Sequence, residues 1–142
     1  MKKWVGLWLL LGVIAVQADE EARLLARMPP LAEAALREEM RDNLLSLHEI
    51  LTLLASGQVK EAGDLAEKKL GKSAMGKHRD QPFEARPGPH MPPAMHRLGM
   101  EGHQAASDFA RIAATGEREK ALAALPALSA TCVSCHFSYR IR

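Results

Sequence analysis

Leu36, Met40, Leu44, Leu47, Leu51 and Leu54 recur at spacings of three and four, with charged and polar residues between them. At 3.6 residues per turn this spacing gathers apolar side chains into one long stripe of a helix, which needs a partner surface to bury it. Met28-Pro29-Pro30 marks the start, because proline is tolerated in a first helical turn, and Ser56-Gly57 marks the end near Ala55. A shorter second helix is predicted from about Gln58 to Leu70, with Val59, Ala62, Leu65 and Ala66 inward and Gly71 as its stop. A third covers about Ala94 to Ala114, with Met95, Leu98, Ala105, Phe109 and Ile112 on one face. After the Thr115-Gly116 turn a fourth runs from about Glu117 to about Tyr139. Pro126 lies inside it and removes the hydrogen bond to the Leu122 carbonyl, so a kink is expected there.

Alanine, leucine, glutamate, arginine and lysine dominate, while β-branched and aromatic residues are scarce, so the fold class is all-α. Residues 71 to 93 break the pattern with Gly71, Gly76, Pro82, Pro87, Gly88, Pro89, Pro92 and Pro93, and read as a long structureless connection. Four amphipathic helices with two short links and one long link predict an antiparallel up-down-up-down four-helix bundle, the long loop joining helices two and three. That topology brings the C-terminal end of helix four beside the N-terminal ends of helices one and three.

The chain ends on Cys132-Val-Ser-Cys135-His136, six residues before its last residue. C-x-x-C-H reads as an attachment site for one covalent c-type haem. Two thiols add across the vinyl groups to become thioethers, and His136 serves as an axial iron ligand. A redox dithiol would call for a βαβ context, and a zinc site for a second ligand pair at typical spacing; neither is present. Lys2, Lys3, the apolar run from Trp4 to Val16 and the small residue Ala18 read as a signal peptide over residues 1–18, cleaved after Ala18. The run is short for a bilayer span. The expectation is therefore a periplasmic protein of residues 19–142, forming one domain and free of the membrane after cleavage. The full chain carries 19 Lys+Arg against 17 Asp+Glu, and loss of Lys2 and Lys3 leaves 17 against 17. No concentrated basic face favours nucleic acid.

Met40, on the leucine stripe near the haem end, is a candidate sixth ligand, because a thioether completes a His/Met pair and raises the reduction potential. Ordinary core packing is the alternative, since methionine fills irregular gaps. Arg37 and Arg140 are candidate partners for a haem propionate through a bidentate fork. Arg41, one turn from Arg37, shares that reading, and for either residue a solvated face beside Glu38 and Glu39 competes with it. His48 reads as a packing or surface histidine. His90, Met91, Met95, His96, Met100 and His103 form a His/Met-rich run in which His96, Met100 and His103 share one helical face. Imidazole with thioether suits copper.

Taken together, the leader, the four helices, the terminal Cys132-x-x-Cys135-His136-x-x-Tyr139-Arg140 and the pair Arg37 and Met40 make the chain resemble the cytochrome c′ family, including its low-spin His/Met members. The resemblance covers essentially all of residues 19–142. Arg37 and Met40 stand three residues apart where the family usually has four, and the His/Met/Pro segment between helices two and three is a second departure. The resemblance implies a homodimer through helices one and two. The expected function is one-electron transfer with redox partner proteins. A five-coordinate haem protein that binds nitric oxide or carbon monoxide is the first alternative, and a periplasmic copper-binding protein using residues 90–103 is the second. No acid/base pair or nucleophile constellation stands out, so no enzyme is expected.

Overall fold

The computed structural model describes residues 21–142; the leader read at residues 1–18, with its cleavage after Ala18, lies outside the described residues. The fold is all-α. Helix α1 spans Pro30–Ala55, α2 Val59–Leu70, α3 Pro87–His90, α4 Pro93–Ala113 and α5 Arg118–Ser138. The four long helices begin and end within a residue of the limits expected from periodicity and proline and glycine punctuation. Pro29 caps α1, and the Glu33 amide donates to its carbonyl at 2.9 Å. At the other end Gly57 adopts φ +80°. The Gly57 amide donates to the Leu54 carbonyl and the Gln58 amide to that of Leu53. These are the two bonds of a Schellman stop, and the left-handed residue it needs is the reason for glycine. Helix α5 passes through Pro126 as a single element.

Helix α1 packs on α2, α2 on α4, and α4 on α5, while α1 and α5 approach each other closely at few points. Ile50, Leu54, Val59, Ala62, Ala66, Ala106, Phe109, Ala113, Ala121 and Leu128 form the main core. Phe109, Ile50 and Leu54 are its largest fully buried side chains, each worth about 1.5–3 kcal/mol of transfer free energy. Small residues set the helix separations. A Cβ on Gly63 of α2 would stand 2.8 Å from the Ala113 Cβ and 3.1 Å from the Ala110 carbonyl oxygen of α4. Arg118 Nε donates to the Leu54 carbonyl at 3.3 Å, which ties the start of α5 to the end of α1.

Two expectations are corrected. On α1, Leu44 and Leu51 are 69 % and 45 % exposed, whereas Ser46 and Ile50 are buried. Each i+4 step advances roughly 40° past a full turn, so the stripe drifts off the buried face from Leu36 through Met40 to Leu44, whereas Ala32, Leu36, Ile50 and Leu54 lie together on it. Nor is the connection after α2 structureless. It contains 3₁₀ turns at Lys72–Ala74 and Phe83–Ala85 and the single-turn helix α3. The reason is length. Helix α2 has 12 residues and α1 has 26, roughly 18 Å against 39 Å, so α2 leaves the first half of α1 uncovered. The Phe83–Ala85 turn and α3 pack there instead, with Pro87 buried.

A feature with no counterpart in the helical pattern joins the two ends of the described residues. Strand β1, Leu24–Leu25, pairs in parallel with β2, Tyr139–Arg140, placing Leu24 beside Tyr139 and Leu25 beside Arg140. The Ala26 amide adds a bond to the Arg140 carbonyl at 2.8 Å.

Candidate functional site

Cys132, Cys135 and His136 stand at i, i+3 and i+4 on α5, and so share one side of the helix. Leu128 and Ala121, which α5 buries, lie on the same side. The motif thus extends the inward face of α5 beyond the main core. Cys132 and His136 are exposed and Cys135 is half-buried. Burial pushes the Cys135 thiol above its ordinary value, with a smaller contribution from the neighbouring Cys132. Burial acts in that direction because a thiolate loses hydration inside an apolar cluster.

That cluster is a second, smaller core at the motif end. Ala26, Leu36 and Met95 are buried in it, and Met28, Met40, Met91, Cys135, Tyr139 and Ile141 pack against them. The start of α1, the start of α4 and the end of α5 therefore come together, as the placement of the helix ends requires. Met40 is at the cluster, half-buried. Met91 and Met95, from the His/Met-rich run, join it, and Met28 arrives from the segment before α1. Four thioethers thus belong to the cluster that Cys135 packs against. Met28 was not legible as a site residue, because it precedes the helical pattern and no periodicity marks it.

Arg140, half-buried in β2, keeps its Nε buried without a hydrogen-bond partner. A buried guanidinium donor without an acceptor is costly, and a carboxylate-bearing group at this end would satisfy it. Arg37 stands differently: it is exposed, and its Nη2 donates to Glu33 Oε1 on the same helix at 2.8 Å. Arg41 and His48 are exposed. Arg23, which sequence reasoning passed over, reaches within 3.5 Å of the His136 carbonyl through Nη1. It also holds Glu21 in an ion pair at 2.7 Å. The hydrogen bonds from Arg23 bring the Glu21 carboxyl down to about 2.

The histidines of residues 90–103 are dispersed. His90 Nε2 lies 3.1 Å from the Phe83 carbonyl, and its ring meets that of Phe83 edge-on at 4.8 Å. His103 Nδ1 lies 2.8 Å from the Leu70 carbonyl and 3.1 Å from that of Gly71. Carbonyls only accept, so Nδ1 carries the proton and His103 closes the end of α2. His96 and Met100 are exposed. Among the described residues no group of three or more His, Cys, Asp or Glu side chains is placed to hold a metal ion.

The donor set at the motif end fits a covalently held haem: two thiols and an imidazole on one face, an apolar thioether-rich cluster beside them, and an arginine lacking an acceptor. Comparison of the chain with protein-family models, curated proteins and solved structures returned no match.

Proposed function

We propose that the chain is a periplasmic monohaem c-type cytochrome that acts in one-electron transfer rather than as an enzyme, folded as an antiparallel up-down-up-down four-helix bundle like that of the cytochrome c′ family. The observation that carries the reading is the C-x-x-C-H motif on the inward face of α5, with Cys135 seated against the Met40 cluster. A haem supplies reversible one-electron cycling of its iron when bound. The chain's own residues do the rest. Cys132 and Cys135 would tether the group, and His136 would ligate the iron from α5. Met40 is the candidate ligand from α1. Leu36 and Met95 exclude water from the same end, and Arg140 is the candidate partner for a propionate. A low-dielectric apolar surround shapes both potential and ligand access.

Purified protein is expected to show a c-type spectrum in alkaline pyridine and the mass of the processed chain plus one haem. Absence of either sinks the reading. With Met40 bound, the ferrous protein resists carbon monoxide, and Met40→Ala binds it rapidly. A Met40→Ala variant with the wild-type spectrum removes Met40 from the axial role.

Leu36 favours a second reading. It is buried in the cluster one turn before Met40 and cannot ligate iron. If Leu36 rather than Met40 faced the metal, the chain would supply no second ligand there, and the site would be left open to nitric oxide or carbon monoxide. Fast carbon monoxide binding by the unaltered protein selects this reading. Retained copper after mild exposure and dialysis would move the assignment to residues 90–103.

A further inference from the structure

Leu36 of α1 has different neighbours on its two flanks. Met40 lies about 40° round the helix axis on one side and Glu39 about 60° round on the other, with Asp42 further still. Met40 packs into the motif-end cluster, whereas Glu39 and Asp42 meet Lys77 and His78 of the connection after α2. The segment 75–91 starts beside these contacts, lays the Phe83–Ala85 turn and α3 against α1, and ends on Met91 in the cluster itself. It is lightly held. Its backbone bonds close on themselves: Arg79 to the Gly76 carbonyl, Gln81 to that of His78, Arg86 to that of Phe83, and Met91 to that of Gly88. The side chains of Arg86 and His90 likewise meet the Gln81 and Phe83 carbonyls. Among the described residues no hydrogen bond joins this segment to α1. Pro87 alone in it is buried, and Phe83 is 56 % exposed.

Between the segment and α1 lies a cavity of about 370 Å³, lined by Glu39 and Asp42 from one side and by Lys77, His78, Gln81 and Ala85 from the other. The segment thus arches over α1 here instead of packing on it. Few buried contacts and purely local hydrogen bonds are the marks of a part that opens at low free energy. Glu39 is the point where the arch is fastened. Lys77 Nζ stands 3.7 Å from Glu39 Oε1 and 3.8 Å from Asp42 Oδ2, and His78 Nε2 stands 3.3 Å from Glu39 Oε2. His78 Nε2 is buried yet out of line for a hydrogen bond. A buried polar nitrogen without a partner is costly, so the arch stops short of its tightest seating. We infer that residues 75–91 are a strap, latched to α1 at Glu39, whose opening and closing sets how readily small molecules reach the Leu36 side of the motif-end cluster. Glu39 is a positioning residue that acts through the strap. The purpose, control of access to an iron beside the motif, rests on the cytochrome reading; the geometry of the strap does not.

The test uses full-length protein and the variant Glu39→Gln, which keeps the shape of the side chain and removes its charge. Hydrogen–deuterium exchange of the strap amides should quicken about fivefold, the scale of losing a partly exposed ion pair, while amides of α2 and α4 keep their rates. Glu38→Gln, beside the same cavity, should change nothing. Salt at about 1 M, where charges are screened beyond about 3 Å, should bring the unaltered protein toward the variant. In dilute hydrogen peroxide Met91 should be oxidised about fivefold faster in Glu39→Gln, with Met100, exposed on α4, unchanged as the reference. Carbon monoxide binding to ferrous Met40→Ala protein should quicken similarly when Glu39→Gln is added. If Glu39→Gln does not fold, Lys77→Gln breaks the same latch from the strap side and should give the same signs. Unchanged exchange in the latch variants, or an equal rise from Glu38→Gln, overturns the proposal. So does faster exchange with Met91 oxidation or carbon monoxide binding unchanged. The haem content of the same sample separates the two readings. Haem present with unchanged exchange overturns the strap alone. Haem absent with faster exchange and faster Met91 oxidation overturns the cytochrome reading and leaves the strap standing.

Discussion

Cys132 and Cys135 are three residues apart but chemically unequal. In the haem-free chain Cys132 faces water, whereas Cys135 is packed against apolar neighbours that penalise its thiolate. Thiolate is the reactive form, so Cys135→Ser protein should be alkylated faster than Cys132→Ser protein at neutral pH. The gap should narrow in strong denaturant. Equal rates in the folded state would remove the distinction. The sign of the linked stability effect follows. The folded thiol ionises at higher pH than the unfolded one, so raising the pH past the ordinary thiol value lets the unfolded chain release its proton first, and stability of the haem-free fold falls. Of the individual residues, the motif was legible in sequence because its spacing encodes chemistry. The Arg140 donor without a partner was not, since that status depends on burial produced by a distant segment.

At the level of elements, the helices were legible because periodicity, proline starts and glycine stops agree. The phase of α1 was not: a stripe written in steps of three and four fixes a side of the helix only to within roughly a sixth of a turn, and Leu44 and Leu51 fell outside it. The α2–α4 crossing offers a direct check. Gly63→Ala places a methyl within 2.8 Å of the Ala113 Cβ and should cost about 1–3 kcal/mol in urea unfolding. Gly99→Ala, in α4 with nothing within 4 Å, should instead add about 0.5–1 kcal/mol through helix propensity. An equal loss in both would point away from the close crossing. The connection after α2 has its own anchor. The hydroxyls of Ser107 and Ser73, with the Ser73 amide, hold the Glu67 carboxyl below the usual range. Its contribution is present above the ordinary glutamate value and is lost as pH falls through the lowered folded value. Glu67→Gln should therefore reduce stability at about pH 7 and make little difference at about pH 3, which chemical denaturation at both pH values measures.

At the scale of the whole molecule, a short α2 forces the connection to complete the cover of α1. Lys77 lies 3.7 Å from Glu39 and 3.8 Å from Asp42, and His78 lies 3.3 Å from Glu39. No sequence pattern announces such contacts, because a Pro/Gly-rich stretch has no period to read. The pairing of residues 24–25 with 139–140 was hidden for a related reason, two residues being too few to alternate. Its weight can be measured. Ala26→Pro removes the amide that donates to the Arg140 carbonyl, a loss of about 0.5–1.5 kcal/mol. It should speed proteolytic clipping near residue 140 without lowering helix content. Unchanged clipping would show that side-chain packing alone holds this end.

The joined ends also bear on the order in which the molecule is assembled. Arg23 and His136 meet across a separation of 113 residues, so their contact closes a loop that spans nearly the entire domain. Closure entropy rises with the logarithm of loop length, which places this contact late in folding. Leu24 and Leu25 therefore meet Tyr139 and Arg140 only once the intervening helices have drawn the two segments together. The segment that fixes the backbone next to the motif is thus set in place late, while Cys132 and His136 stay open to solvent throughout, in the folded chain as before it.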